Sequence, residues 1–85
     1  MKRAIMITNA ELLELWRTKY TLTNKDIGRI FGVESQNVIW LIKRDVFKYA
    51  KEKGIDYPGA RYIDTKAAFM SWGIDPKDLA RRVNQ

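Results

Sequence analysis

At 85 residues the chain suits one small domain with a single core, and 16 Lys plus Arg against 10 Asp plus Glu leave a net charge of +6. That balance favours a polyanionic partner, nucleic acid first. The absence of Cys and His excludes disulfides, thiolate metal sites and the commonest general base.

Met1-Lys2-Arg3 is basic, but the apolar run Ala4-Ile5-Met6-Ile7 is far shorter than a signal-peptide core. The run reads as a short strand or an apolar arm, with the strand favoured. No segment approaches the ~20 apolar residues of a membrane span. The expected location is therefore cytoplasmic, nucleoid-associated when on DNA. Thr8-x-x-Glu11 is a capping box and predicts a helix to about Lys19 or Tyr20. Leu12, Leu15, Trp16 and Tyr20 form its apolar stripe, with Glu14, Arg17 and Thr18 facing water.

Thr23-x-x-Asp26 repeats the start signal and predicts a second helix over about 24–31, with Ile27, Ile30 and Phe31 inward. Gly28 stands where two helices must approach closely. Gly32 stands where the helix must end with positive φ, which is costly for any residue with a Cβ. Ser35 or Glu34 then caps a third helix, expected to reach about Lys43 or Arg44. At 100° per residue, Val38, Leu41 and Ile42 turn to the core, and Ser35, Gln36, Ile39, Trp40 and Lys43 face the other way. Two helices joined by a tight glycine turn form a helix-turn-helix, whose second helix normally lies in a DNA major groove. On that reading Gln36 can read adenine, Ser35 can bond a base or a phosphate, and Lys43 suits the phosphate backbone. Ile39 and Trp40 either touch thymine methyls or pack under a neighbouring element, with packing favoured for Trp40.

Past the third helix, Val46-Phe47-Lys48-Tyr49-Ala50 and the alternating Ala60-Arg61-Tyr62-Ile63-Asp64 flank a segment that carries Lys51 and Lys53 and contains the turn signal Pro58-Gly59. Residues 46–64 read as a wing of two short antiparallel strands. The competing reading extends a helix from Val46 to Lys53, and the wing is favoured. Asp64 or Thr65 caps a further helix carrying Ala67, Ala68, Phe69, Met70 and Trp72, which Gly73 stops. Asp75-Pro76-x-Asp78 opens a last helix, about Pro76 to Val83, with Arg81 and Arg82 at its negative end. The helix dipole accounts for those arginines, and DNA contact is a second reading. The expected fold is mainly α with a small β wing: a winged helix-turn-helix with a three-helix core plus C-terminal helices. One domain spans 1–85, with the helix-turn-helix at about 23–44, the wing at about 46–64 and the C-terminal helices at about 65–84.

Helix-turn-helix, then a wing ending in Arg61-Tyr62-Ile63-Asp64, then a helix carrying Phe69 and Trp72, resembles the excisionase and MerR-like winged-helix domains of phages and mobile elements. Ile30-Phe31-Gly32 and Tyr62-x-Asp64 also resemble the DNA-binding domain of phage terminase small subunits. The similarity runs from about Leu22 to Trp72, at motif level. It implies that the recognition helix Ser35 to Arg44, Asn37 included, enters the major groove. It also implies that Lys48, Lys51, Lys53 and Arg61 set the wing against an adjacent minor groove or its phosphates. Thr23 and the amides of Asn24 and Lys25, at a helix N-terminus, would hold a phosphate.

The chain departs from that pattern in two places. Phe47 to Ala60 is longer than the family's usual wing, and Glu34 stands where the family usually has Ser. MerR regulators dimerise through a long following helix; the last helix here is too short, so effector sensing is not expected. The resemblance implies an excisionase-type recombination directionality factor or small transcriptional regulator. Its partners would be double-stranded DNA, an integrase or other DNA-processing protein, and further copies of itself on DNA. A terminase-like packaging or adaptor protein is the alternative. Enzyme activity and cofactors are not expected, because Glu11, Glu14, Asp26 and Asp64 each read as a cap or a solvated face.

Overall fold

A computed structural model of the protein describes residues 4–54 and 62–84. Among them the chain is mainly α, in the order α1 (Asn9–Thr18), β1 (Thr21–Leu22), α2 (Asn24–Phe31), α3 (Gln36–Glu52), β2 (Ile63–Asp64), α4 (Thr65–Ser71) and α5 (Pro76–Val83). None of the described helices is long and apolar enough to cross a membrane.

The capping box opens α1 as expected: Glu11 N–H donates to Thr8 Oγ1 at 3.1 Å, and Thr8 N–H donates to Glu11 Oε1 at 3.3 Å. A hydrogen bond from Arg29, with those from Thr8, holds the Glu11 carboxyl below the usual carboxylate range. Leu12, Leu13 and Leu15 are buried and Trp16 packs against them. Tyr20 was expected in this stripe but is 93 % exposed. Lys19 ends the helix in an extended conformation (φ −122, ψ 126), so the 100° step no longer applies at Tyr20. Residues 4–7 form no strand. They lie against the end of α2 as an arm, with Met6 N–H donating to Ile30 O at 2.7 Å and Ile7 packed on the core.

The start and stop signals of α2 hold. Thr23 caps it, Ile27, Ile30 and Phe31 are buried, and Gly32 ends it at φ 64. A Cβ on Gly28 would lie 2.6 Å from the Val33 carbonyl oxygen and 3.4 Å from Ile39 Cδ1. Only glycine lets α3 start that close to α2.

The largest departure concerns α3, which continues to Glu52 rather than stopping near Arg44. Residues 46–52, expected as the first limb of a wing, are its last two turns. Nothing from Gln36 to Lys53 breaks a helix, and Gly54 (φ 71) follows its end. β2 instead pairs antiparallel with β1, Thr21 opposite Asp64 and Leu22 opposite Ile63, with Leu22 and Ile63 fully buried. The pair ties the start of α2 to the start of α4. Lys53 follows the end of α3, while the Pro58-Gly59 turn and Arg61 lie outside the described residues.

Asp64 caps α4 by accepting from Ala67 N–H at 2.9 Å. Ala67, Ala68 and Phe69 are buried, whereas Met70 is exposed and Trp72 half-buried. Phe69 lies 5.2 Å from the Trp16 ring and 6.2 Å from Trp72, and Trp72 meets Phe31 edge-on at 4.9 Å. Such aromatic pairs add ~0.5–1.5 kcal/mol each beyond the area they bury. Asp75 and Pro76 start α5 as expected, and Leu79 carries it onto the core. Arg82 Nε pairs with Asp78 at 3.0 Å, and Arg81 lies 3.9 Å from the same carboxylate.

Candidate nucleic-acid interface

The added length of α3 resets which of its faces is outward. Ile39, Ile42, Lys43, Val46 and Ala50 are buried, a stripe with helical spacing. The opposite side exposes Asn37, Trp40, Leu41, Arg44, Lys48 and Lys51. Two residues expected in the DNA-facing set therefore belong to the core side. Ile39 is 3 % exposed and Lys43 7 %. Leu41, expected inward, is 38 % exposed, and Trp40, for which packing was favoured, is 60 % exposed. With Val46 and Ala50 in the helix, the apolar face centres on 39, 42, 46 and 50 rather than on 38, 41 and 42.

The outward row is amide first, indole next, cations after. Asn37 to Lys51 spans roughly 21 Å at 1.5 Å per residue. The Arg44 guanidinium sits 5.7 Å from the Trp40 ring centre, and an Arg44 nitrogen lies 3.8 Å from Asp45. Lys48 and Lys51 are exposed and have no ion-pair partner among the described residues. Lys53 lies beyond the helix end, its ammonium 5.8 Å from the Tyr49 ring. Lys48, Lys51 and Lys53 thus stand on or next to α3 rather than on a separate wing.

The N-terminus of α2 is engaged from within. Asp26 carboxylate accepts from Thr23 N–H at 3.0 Å, from Thr23 Oγ1 at 3.1 Å and from Lys19 Nζ at 2.9 Å. Burial works to raise the Asp26 pKa, but the bonds from Thr23 and Lys19 outweigh it and hold the carboxyl below its ordinary value. The Thr23 N–H and hydroxyl, expected to help hold a phosphate, are thus already bonded to a carboxylate. Lys25 is exposed beside it.

Asn24 makes a different connection. Lys43 Nζ donates to Asn24 Oδ1 at 3.0 Å, and Asn24 Nδ2 donates to Gln36 Oε1 at 3.3 Å. Burial pushes the Lys43 ammonium below the usual lysine pKa. Ser35 sits at the N-cap position of α3 without a side-chain capping bond and is exposed, as are Gln36 and Asn37. Between α2 and the start of α3 runs an open groove of about 710 Å³, lined by Asn24, Lys25 and Arg29 from α2, by Val33 and Glu34 from the turn, and by Gln36 and Ile39 from α3.

The structure thus gathers Asn24, Lys25, Ser35, Gln36 and Asn37 at the head of α3 and Trp40, Arg44, Lys48 and Lys51 along its outer face. It sends Ile39 and Lys43 to the core side. Leu41 belongs to the outer face and was missed; extending the helical count to Gly54 would have found it. Among the described residues no three acidic side chains converge as metal ligands would. Comparison of the chain with protein-family models, with curated proteins and with solved structures finds no match in any of the three.

Proposed function

We propose that the protein binds duplex DNA sequence-specifically through α2 and α3, as a helix-turn-helix protein of excisionase or small-regulator type. The outer face of α3 carries the proposal: Asn37, Trp40, Arg44, Lys48 and Lys51 follow one another on a single exposed side of one helix. B-DNA's major groove is ~12 Å wide and ~8.5 Å deep, so it takes the first turns of a helix this long while the later turns pass over the backbone. Gln36, Asn37 and Trp40 then meet base edges, and Lys48 and Lys51 meet phosphates. The close approach at Gly28 and the αL turn at Gly32 support the reading, because a helix-turn-helix joins its two helices through a short turn that often contains glycine.

Selection of bound sites from random duplexes tests it. A defined site, bound with affinity that falls steeply with salt, is the expected result. Tandem direct repeats would point to side-by-side binding of excisionase type with an integrase as partner, and an inverted repeat to a symmetric regulator. Failure to retain duplex DNA at low salt would end the proposal.

Trp40 and Leu41, exposed side by side, favour a second reading, an adaptor or terminase-small-subunit-like packaging protein that meets a protein through this face. The two readings separate on Trp40→Ala. Loss of a DNA-free oligomer or heterocomplex supports the adaptor, and loss of duplex affinity alone supports the first reading.

A further inference from the structure

Three polar side chains at the head of the α2–α3 groove set one another's orientation. A lysine ammonium carries donors only, so the Asn24 atom that meets Lys43 Nζ at 3.0 Å has to be its oxygen. The NH2 of Asn24 is thereby turned to Gln36, and the Gln36 atom that meets it at 3.3 Å has to be its oxygen. What Gln36 leaves outward is its own NH2, which only donates. Asn24 cannot turn over without pointing an NH2 at a buried ammonium. Lys43 is held on the same buried stripe as Ile39, Ile42 and Val46.

We infer that Lys43 and Asn24 are positioning residues that fix the hydrogen-bonding sense of Gln36, so that the first turn of α3 selects guanine or thymine at one base position. In the major groove guanine offers O6 and N7 and thymine offers O4, all acceptors for an outward NH2. Adenine N7 also accepts, but its N6 amine stands beside it, so a glutamine reading adenine uses both its NH2 and its oxygen; with that oxygen turned toward Asn24, adenine keeps one of its two bonds and guanine, with two acceptors, is favoured over it. Cytosine, with its N4 amine, sets donor against donor. The inference rests on the duplex-DNA reading above and adds to it the base class read by one side chain.

Asn24→Asp tests it by inverting the relay. A carboxylate only accepts, so it keeps Lys43 and makes Gln36 turn its NH2 inward and its oxygen outward. An acid in the first turn of α2 is favoured by the helix dipole, so the fold is kept. Site selection with the wild type, Asn24→Asp and Gln36→Ala should reveal one position with three outcomes. The wild type enriches guanine or thymine there, Gln36→Ala loses the preference, and Asn24→Asp shifts it to adenine or cytosine. The shift in relative affinity should be roughly threefold to tenfold, the worth of one hydrogen bond. In the DNA-free protein, the Gln36 side-chain NH2 resonances should move downfield in Asn24→Asp as they meet a carboxylate. Unchanged Gln36 resonances would overturn the orientation itself. The same base preference in wild type and Asn24→Asp would overturn the base selection. The expected resonance shift with no duplex binding by any of the three proteins would sink the DNA reading, and the base selection with it, while upholding the relay.

Discussion

Replacing Lys48 and Lys51 together by alanine probes whether the outer face of α3 meets phosphates. Both are exposed, both stand on the side opposite Ile42, Val46 and Ala50, and neither has an ion-pair partner among the described residues. Each phosphate neutralised by a cation contributes about −0.9 to the slope of log K against log salt, so the pair contributes about −1.8. Between about 50 and about 200 mM salt the wild type should therefore lose about twelve times more affinity than the double variant. Fluorescence anisotropy on a labelled duplex across a salt series measures both slopes. Alanine is the better helix former, so circular dichroism should show α3 intact. Lys66→Ala with Lys77→Ala, exposed positions on α4 and α5, removes equal charge elsewhere and should leave the slope nearly unchanged. Coincident slopes for wild type and the α3 variant would refute the reasoning. So would an equal fall in the control pair, since the charge would then act as a diffuse cloud rather than through one helix face.

Gly32→Ala forces a Cβ into φ 64 and to 3.0 Å from Met6 Cγ, and should cost ~1–2 kcal/mol, or roughly 4–16 °C in melting temperature. Gly28→Ala should cost more, because its Cβ meets the Val33 carbonyl oxygen at 2.6 Å and the helix pair has to part; equal melting of the two variants would count against the close approach. Asp26→Asn should lose ~2 kcal/mol in denaturant titration, mostly the charge-assisted bond to Thr23, since the partly exposed Lys19 is screened by solvent and adds less. The folded Asp26 pKa is depressed, so its contribution is whole above the ordinary carboxyl range and fades as pH falls through the folded value; the gap between wild type and Asp26→Asn should close in acid. The Lys43 pKa is also lowered, by burial: above its folded pKa the unfolded chain binds the extra proton, so wild-type stability should rise with pH toward the ordinary lysine pKa. Lys43→Met should lack that rise in thermal melts at alkaline pH.

How much was legible in the chain depended on whether a signal was local. Caps and breakers act within one turn, so Thr8, Thr23, Asp64 and Asp75 as N-caps and Gly32 as a stop were all readable. The end of α3 was not, because a basic segment with a later Pro-Gly resembles a wing as readily as a solvated helix face. That single choice of length carried into the choice of face. A helix closed at Arg44 offers Val38, Leu41 and Ile42 as its apolar set. One carried to Glu52 adds Val46 and Ala50 and turns the set to Ile39, Ile42, Val46 and Ala50. The pairing of β2 with β1 was also hidden, since two-residue strands carry no alternation to count. Tyr20 failed for a related reason, as one extended residue at Lys19 decoupled it from α1.

The polar groups around the start of α2 form two struts. Lys19, Asp26 and Thr23 fasten it to the end of α1, and Lys43, Asn24 and Gln36 fasten it to α3. The Gly28 approach fixes how near the helices lie, but apolar packing is non-directional and does not fix which way a polar tip points. A buried ammonium is a poor route to stability, since an apolar chain of similar volume generally does as well or better. Its downward-shifted pKa says the same, for burial is the cause. Lys43 therefore gains its rationale from direction. A donor-only group placed against Asn24 leaves a single arrangement of two amides that are otherwise free to turn over. An apolar residue at 43 would make no bond to Asn24 and leave Gln36 with two faces to show.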